Sequence, residues 1–536
     1  LPLFLPRFAI KNRRRKMIIN IFGAKCIGID ALPVTIEVDI SSGIGIHLVG
    51  LADIAVKESL LRTMTALQTL GYRIPGKKIV INLAPADMHK NGSGYDLPIA
   101  LGIIAASGQE ELPFISDYII MGELGLDGSL KRIPGALPFV ELAMRKGLKG
   151  CILPSISAAE ALEYRKTSIY GADNLYDVLA ILKGSEGYER FLVCNRNAFS
   201  VDNFHSGDDS GDVMDFSEII GQEGAKRGLE IAAAGGHNVI MVGPPGSGKS
   251  SLAKALSGIL PPMTFEESLT TSKIYSVAGK GDIRFGLMHK RPFRSPHCSA
   301  SMAAVIGGGK GENILPGEIS LAQNGILFLD EFCEIKNAVA EALRGPLEDR
   351  KVVISRLRCK IEYPASFMLV AATNPCPCGY YGEGDRCSCT SSQRAAYMSK
   401  LSGPIMDRID IQLWLHPVDP DKMVRRYEGE TSEAVLSRVS RARKIQKDRF
   451  SNENIFVNSG MNNRMLKDYC PLSDDCKEMI TKIITVRKLS ARAFARIVKI
   501  SRTIADLAGS EDIMLGHIVE AAGLRFLDKT YGGLYN

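Results

Sequence analysis

Residues 243–250 read Gly243-Pro244-Pro245-Gly246-Ser247-Gly248-Lys249-Ser250, an unbroken match to G-x-x-x-x-G-K-[ST]. Nothing else in the chain restricts its fold as strongly. The glycines permit a backbone loop whose N–H groups surround phosphates, and the lysine can reach the β- and γ-phosphates. Ser250 can hold magnesium at the N-terminus of a helix. Such a loop works between a strand and a helix, and the text supplies both. An apolar run (237–243) precedes it, and a helical pattern opens at Lys249 and continues through Ser251. An α/β core that binds ATP or GTP with Mg2+ through residues 243–251 is the expectation.

Hydrolysis needs further groups. Residues 325–331 form an apolar run ending in Asp330 and Glu331. Asp330 can accept a magnesium-bound water, and Glu331 can act as general base on the attacking water. Acids at a strand end are also common loop formers; behind a complete phosphate loop they gain a chemical role. A second apolar strand, 367–373, ends at Asn374, which suits a water-orienting group on the neighbouring strand. Arg408 could project into a neighbouring subunit's site to stabilise transferring phosphate charge, and Arg492 opens a long helix near the C-terminus. A surface ion pair is the alternative reading for either arginine.

The chain has 536 residues, 45% hydrophobic and 23% charged, which excludes disordered, collagen-like and coiled-coil classes. No run approaches the roughly 18 apolar residues of a membrane span, and twelve cysteines are too sparse for a disulfide scaffold. A cytoplasmic protein with reduced thiols is expected. Of the net charge of +7, residues 1–16 contribute +6. The chain opens at Leu1, and Met17 opens the first strand-like text. Residues 1–16 are therefore expected to be upstream sequence ahead of the true start, with a basic arm or targeting leader as alternatives. Residues 17–185 alternate strand and helix patterns, including a helix over 53–70 that ends at Gly71. Residues 186–215 read as a linker, 216–420 as the nucleotide-binding core and 421–536 as a mainly helical domain.

Together these residues resemble the AAA+ ATPases, in the helix-2-insert branch that holds magnesium chelatase ATPase subunits and minichromosome maintenance helicases. Residues 291–297, 316–323 and 374–379 and the 489–508 helix are similar to the YifB/ComM family of Mg-chelatase-like proteins. The resemblance spans essentially 17–530. It implies a multidomain α/β protein: a Lon-protease-like α+β N-domain, an AAA+ P-loop αβα core and a C-terminal helical lid. It implies that Asp330 and Glu331 are Walker B, Asn374 sensor 1, Arg408 the arginine finger and Arg492 sensor 2, with Arg496 one turn away as the rival. It implies a hexameric ring with ATP sites between subunits. In the Lon-like domain the nucleophile position is occupied by Gly94, with Ser93 one residue early, and the lysine position by Leu137. A Ser/Lys dyad needs both members, so an inactive scaffold or binding module is expected.

The resemblance also suggests work on single-stranded or branched DNA, including branch migration. Within the chain, 349–366 reads as two strands with Arg356, Arg358 and Lys360 alternating near the turn, suited to phosphates in a channel. An ordinary solvated hairpin fits the same text. A second insert candidate, 284–312, carries Arg284, Lys290, Arg291 and Arg294 before a Gly-rich run, where glycine permits mobility. Cys376, Cys378, Cys387 and Cys389 could hold Zn2+. Their C-x-C spacing is expected to strain tetrahedral chelation, and a reduced Gly-rich loop is the alternative. Two rival functions remain: a chelatase-type subunit powering metal insertion into a tetrapyrrole, although D-x-S-x-S is not evident, and a non-catalytic ATP-dependent scaffold.

Overall fold

The computed structural model describes residues 18–195, 214–280, 286–310, 313–356, 359–401, 403–418 and 429–527. They form two compact units.

The N-terminal unit contains strands β1 (Ile19–Ile27), β2 (Asp30–Ser41), β3 (Gly45–Val49), β4 (Lys78–Ala84), β5 (Tyr118–Ile120), β6 (Glu123–Leu124), β7 (Leu130–Lys131), β8 (Gly150–Pro154) and β9 (Ser168–Ala172). Seven make one mixed sheet in the order β3-β4-β2-β1-β5-β8-β9, and β6 and β7 pair separately. Alternation sets its register. Val34, Ile36 and Val38 of β2 and Ile79, Ile81 and Leu83 of β4 are fully buried, so one face of each strand points to the core. The expected 53–70 helix runs Ile54–Thr69, capped by the Asp53 carboxylate on the Val56 N–H at 2.8 Å. The Ser93 hydroxyl donates to Glu123, the buried Lys90 ammonium donates to the Pro85 carbonyl, and Leu137 is buried in the core. Residues 188–195, expected in a linker, instead form two short 3-10 turns that bury Phe191 and Val193.

The division is not linear along the chain. Tyr275–Leu287, expected inside the nucleotide-binding core, belongs to the N-terminal unit. Polar contacts explain this: Ser276 Oγ donates to the buried Glu160 at 2.6 Å, and the Leu287 N–H donates to Glu163 at 2.9 Å.

The second unit contains β10 (Val239–Val242), β11 (Phe293–Arg294), β12 (Gly307–Lys310), β13 (Asn313–Pro316), β14 (Ile326–Leu329), β15 (Lys351–Arg356), β16 (Cys359–Pro364), β17 (Met368–Thr373) and β18 (Ile411–Trp414). Five make a parallel sheet in the order β11-β14-β17-β10-β18. Its central strands are buried on both faces, as helix-covered parallel strands must be. The C-terminal helices Ser432–Arg449, Asn463–Tyr469, Asp474–Arg487, Ala491–Ala508 and Leu515–Gly523 share one hydrophobic cluster with this sheet. Arg443 and Gln446 also donate to the Ala233 and Ala234 carbonyls at the end of the Glu223–Gly235 helix. The fold is thus mixed α/β, a parallel-sheet core followed by a helical region.

Gly307–Lys310 of the Gly-rich run, expected to be a mobile loop, instead form β12, paired antiparallel with β13. A Cβ on Gly307 would sit 2.7 Å from the Leu315 carbonyl oxygen and 2.8 Å from the Gly317 nitrogen. Close backbone approach, not mobility, is what glycine supplies there. Tyr363 Oη donates to the Ile314 carbonyl at 2.7 Å and ties this hairpin to the β15–β16 hairpin.

Candidate functional site

β10 delivers the chain into the phosphate loop, and the helix Lys249–Gly258 leaves it. Gly246 and Gly248 have φ of +78° and +88°, and nothing lies within 4 Å of where their Cβ atoms would be. Left-handed backbone, not crowding, demands glycine at both positions. Gly248 caps the helix with no side-chain hydrogen bond, so the first N–H groups keep their capacity for an anion. Lys249 Nζ donates to the Gly243 carbonyl (2.7 Å), the Pro244 carbonyl (2.8 Å) and Asn374 Oδ1 (3.2 Å). Burial lowers its pKa, with the nearby Asp330 charge opposing.

The strand order brings the expected acids to the same end of the sheet. β17 lies between β10 and β14, so Asn374 and Asp330 emerge beside the phosphate loop. Ser250 Oγ donates to Asp330 Oδ2 at 3.0 Å, and the Glu331 N–H donates to Asp330 Oδ1 at 2.8 Å. Glu331 turns out of the strand with φ of +49°, a left-handed conformation uncommon for glutamate. Two nearby groups were not evident from sequence. The Cys298 thiol donates to Glu331 Oε2 at 3.5 Å. Gln222 Nε2 donates to the Ser247 carbonyl at 3.2 Å and the His416 carbonyl at 2.6 Å, joining the loop to the segment after β18.

The two expected arginines lie elsewhere. β18 runs parallel to β10, with Val239 opposite Ile411 and Val242 opposite Trp414. Arg408 precedes β18, whereas the phosphate loop follows β10, so they sit at opposite ends of the sheet. Four residues at about 3.3 Å each separate them by roughly 13 Å. Arg408 donates to the Arg344 carbonyl (3.1 Å) and the Pro404 carbonyl (2.7 Å) and pairs with Glu348, a partner not evident from sequence. Arg492 joins that end too, paired with Asp407 at 2.7 Å. Arg496, its rival one turn on, is tied to the buried Asp410, which His237 Nδ1 also contacts at 3.2 Å. A cavity of about 680 Å3 opens there, lined by Arg350, Arg408, Arg443, Arg492, Arg496 and Lys499 with Glu348, Asp407 and Asp410 among others. Burial pushes the Arg443 guanidinium down to about 9 and lowers Lys499 as well. An excess of cations, most of them partly buried, suits an incoming anion.

Three family models match the chain. Magnesium chelatase, subunit ChlI, covers 215–423; subunit ChlI of Mg-chelatase covers 36–157; and the ChlI C-terminal model covers 429–525. YifB of Salmonella typhimurium is 42% identical over 94% of this chain and 96% of its own length. Competence protein ComM of Haemophilus influenzae is 40% identical over 96% of this chain and 99% of its own. This chain belongs to the YifB/ComM family. The magnesium-chelatase 38 kDa subunit of Rhodobacter capsulatus matches more distantly, 27% identical over 32% of this chain and 53% of that protein. YifB/ComM proteins are Mg-chelatase-like AAA+ ATPases, and the family implies ATP and Mg2+ as cofactors. The residues present fit both: a hydroxyl and a carboxylate already joined, Ser250 and Asp330, are hard oxygen donors of the kind Mg2+ takes.

The basic hairpin of this YifB/ComM member differs from the expectation in one respect. In the β15–β16 register Ser355 faces Lys360 and Arg356 faces Cys359. Arg356 and Lys360 therefore lie on opposite faces. Lys360 shares the outer face with the Lys351–Glu362 pair; Arg358 lies outside the described residues, as do Arg284 and residues 1–16. Arg291 and Arg294 of the other insert candidate are engaged by Glu267 (2.9 Å) and Glu318 (2.6 Å). The four thiols of Cys376, Cys378, Cys387 and Cys389 converge, every sulfur within 4.8 Å of the others. Among the described residues no helix is long and apolar enough to cross a membrane.

Proposed function

We propose that this chain is an ATP-hydrolysing motor that assembles as a ring, a hexamer by family resemblance, and moves or remodels DNA. Branched recombination intermediates formed during DNA uptake or repair are its substrate class. The observation that carries this reading is the position of Arg408 and Arg492 at the far end of the sheet from Lys249. Neither can serve the phosphate loop of its own chain, so a complete site needs a second copy to bring them. Gly243–Ser251 bind ATP, and Ser250 and Asp330 hold Mg2+. When bound, Mg2+ would supply charge neutralisation for the phosphates. Glu331 takes the proton of the attacking water, Asn374 orients that water and positions Lys249, and the neighbour's Arg408 and Arg492 meet the charge that develops on the transferring phosphoryl group.

DNA enters the proposal through the Arg356, Arg358 and Lys360 hairpin and through a relative that is a competence protein. The N-terminal unit acts as a cytoplasmic scaffold or binding module, since Gly94 and Leu137 stand where a dyad would need serine and lysine. The alternative, a chelatase-type subunit, draws on the 38 kDa subunit match, which reaches only half of that protein. Comparing ATP turnover with and without four-way-junction DNA separates the two: a DNA motor accelerates, and a chelatase-type subunit does not.

A further inference from the structure

The loop after Asn374 holds four cysteines whose sulfurs sit as if around a single centre. Cys376 and Cys378 are 3.3 Å apart, Cys376 and Cys387 3.8 Å, and Cys378 and Cys387 3.6 Å. Four sulfurs at about 2.3 Å from one tetrahedral ion are separated by about 3.8 Å along each edge. All six separations here stay within 4.8 Å, too tight for thiolates spread over a two-iron cluster, and none of the four cysteines forms a disulfide. The C-x-C spacing, expected to strain chelation, does not keep Cys376 and Cys378 apart. Gly379 follows with φ of +88° and turns the chain back.

Backbone N–H groups reach three of the sulfurs: Tyr380 at Cys378, Tyr381 at Cys376 and the Cys378 N–H at Cys389. Arg394 Nη1 donates to the Cys389 carbonyl at 2.9 Å, placing a cation beside the group. Such outer contacts orient and stabilise metal-bound thiolates.

The cluster also touches the nucleotide machinery. Asn374, the acceptor of Lys249, is two residues before Cys376. Where Gly379 lies, a Cβ would come within 2.8 Å of Pro245 Cδ in the phosphate loop. The cysteine loop therefore rests directly on that loop.

We infer that Cys376, Cys378, Cys387 and Cys389 hold one structural zinc ion as thiolates, and that this ion fixes the Asn374 segment against the phosphate loop. No protein side chain need complete the shell, so the ion is closed to solvent chemistry and acts as a staple.

The full chain, purified without chelators, tests the first part by elemental analysis. One zinc per chain is expected, and Cys387→Ser/Cys389→Ser should lose it while Cys194→Ser keeps it. Cobalt exchanged into the wild-type chain should give the intense visible bands of tetrahedral thiolate coordination, a readout that does not depend on variants folding. A wild-type chain that holds no metal and takes up no cobalt in this form, or a double variant that keeps its zinc, overturns the site. Hydrogen exchange tests the staple. Removing zinc from the wild-type chain should speed exchange of the 376–390 amides at least tenfold and leave β10 unchanged. Equal exchange with and without zinc overturns the positioning role. Neither readout requires DNA or ATP turnover, so the outcome is separate from that of the motor proposal.

Discussion

The Ser250 hydroxyl and the Asp330 carboxylate stand 3.0 Å apart although 80 residues separate them in the chain. Parallel pairing accounts for it: β14 and β10 both flank β17, and both strands end at the edge where the helix Lys249–Gly258 begins. Glu331 follows Asp330 and leaves the strand with a left-handed backbone, which separates the two acids' directions. One is turned to Ser250 and the other to Cys298.

That separation gives the first prediction. Glu331→Gln removes the proton acceptor and leaves Ser250 and Asp330 in place. Turnover should fall by about 10²–10⁴-fold, while binding of a fluorescent ATP analogue stays within a few-fold of the unaltered chain.

Lys249 behaves differently because it also holds the loop shut. Lys249→Ala removes bonds to Gly243, Pro244 and Asn374 together. Nucleotide binding itself should fall below detection at micromolar analogue, with turnover lost alongside; unaltered affinity would mean that the loop does not grip phosphate.

Arg408 should act in trans. Arg408→Ala should cost on the order of 10³-fold in kcat, as loss of an arginine finger does. Mixed with Lys249→Ala chains, Arg408→Ala chains should regain turnover, since some interfaces then pair an intact loop with an intact arginine. Turnover that stays at the level of the separate variants would place Arg408 outside the reaction.

Much of this was legible in the sequence where the constraint is local. The phosphate loop declares its strand and helix within fifteen residues, the β15–β16 hairpin shows its alternation, and the Ile54–Thr69 helix follows from its apolar stripe. What failed depends on contacts far along the chain. Gly307 looked mobile because nothing local reveals the Leu315 carbonyl pressing on it. That Arg356 and Lys360 lie on opposite faces is set by the cross-strand register, which the text alone does not carry. Tyr275–Leu287 was assigned to the core because its anchors, Glu160 and Glu163, lie over a hundred residues earlier. Cys298, Gln222 and Glu348 carry no motif at all.

The arginine-rich end of the sheet depends on one buried acid. Burial would raise the Asp410 carboxyl, but the Arg496 charge and the His237 hydrogen bond outweigh it and hold it far below the usual range. Its stabilising contribution is therefore complete above the ordinary carboxylate pKa near 3.9 and is lost only as pH falls toward the depressed folded value. Asp410→Asn leaves the partly buried Arg496 without its charged partner, which should cost about 1.5–3 kcal/mol. A lower melting temperature at pH 7 checks it, and the gap from the unaltered chain should narrow below pH 4.

If the hairpin tracks DNA phosphates, Arg356→Ala and Lys360→Ala should each weaken binding to single strands of any sequence. Each lost contact should flatten the plot of log affinity against log salt by about 0.7. A slope unchanged in both would remove the hairpin from the DNA path.

The most direct test of the motor itself is ATP turnover by the full chain, measured alone and with single-stranded, duplex and four-way-junction DNA. Strong stimulation is expected, greatest with the junction and absent in Glu331→Gln. Turnover indifferent to every DNA, with no DNA retained even at low salt, would contradict it.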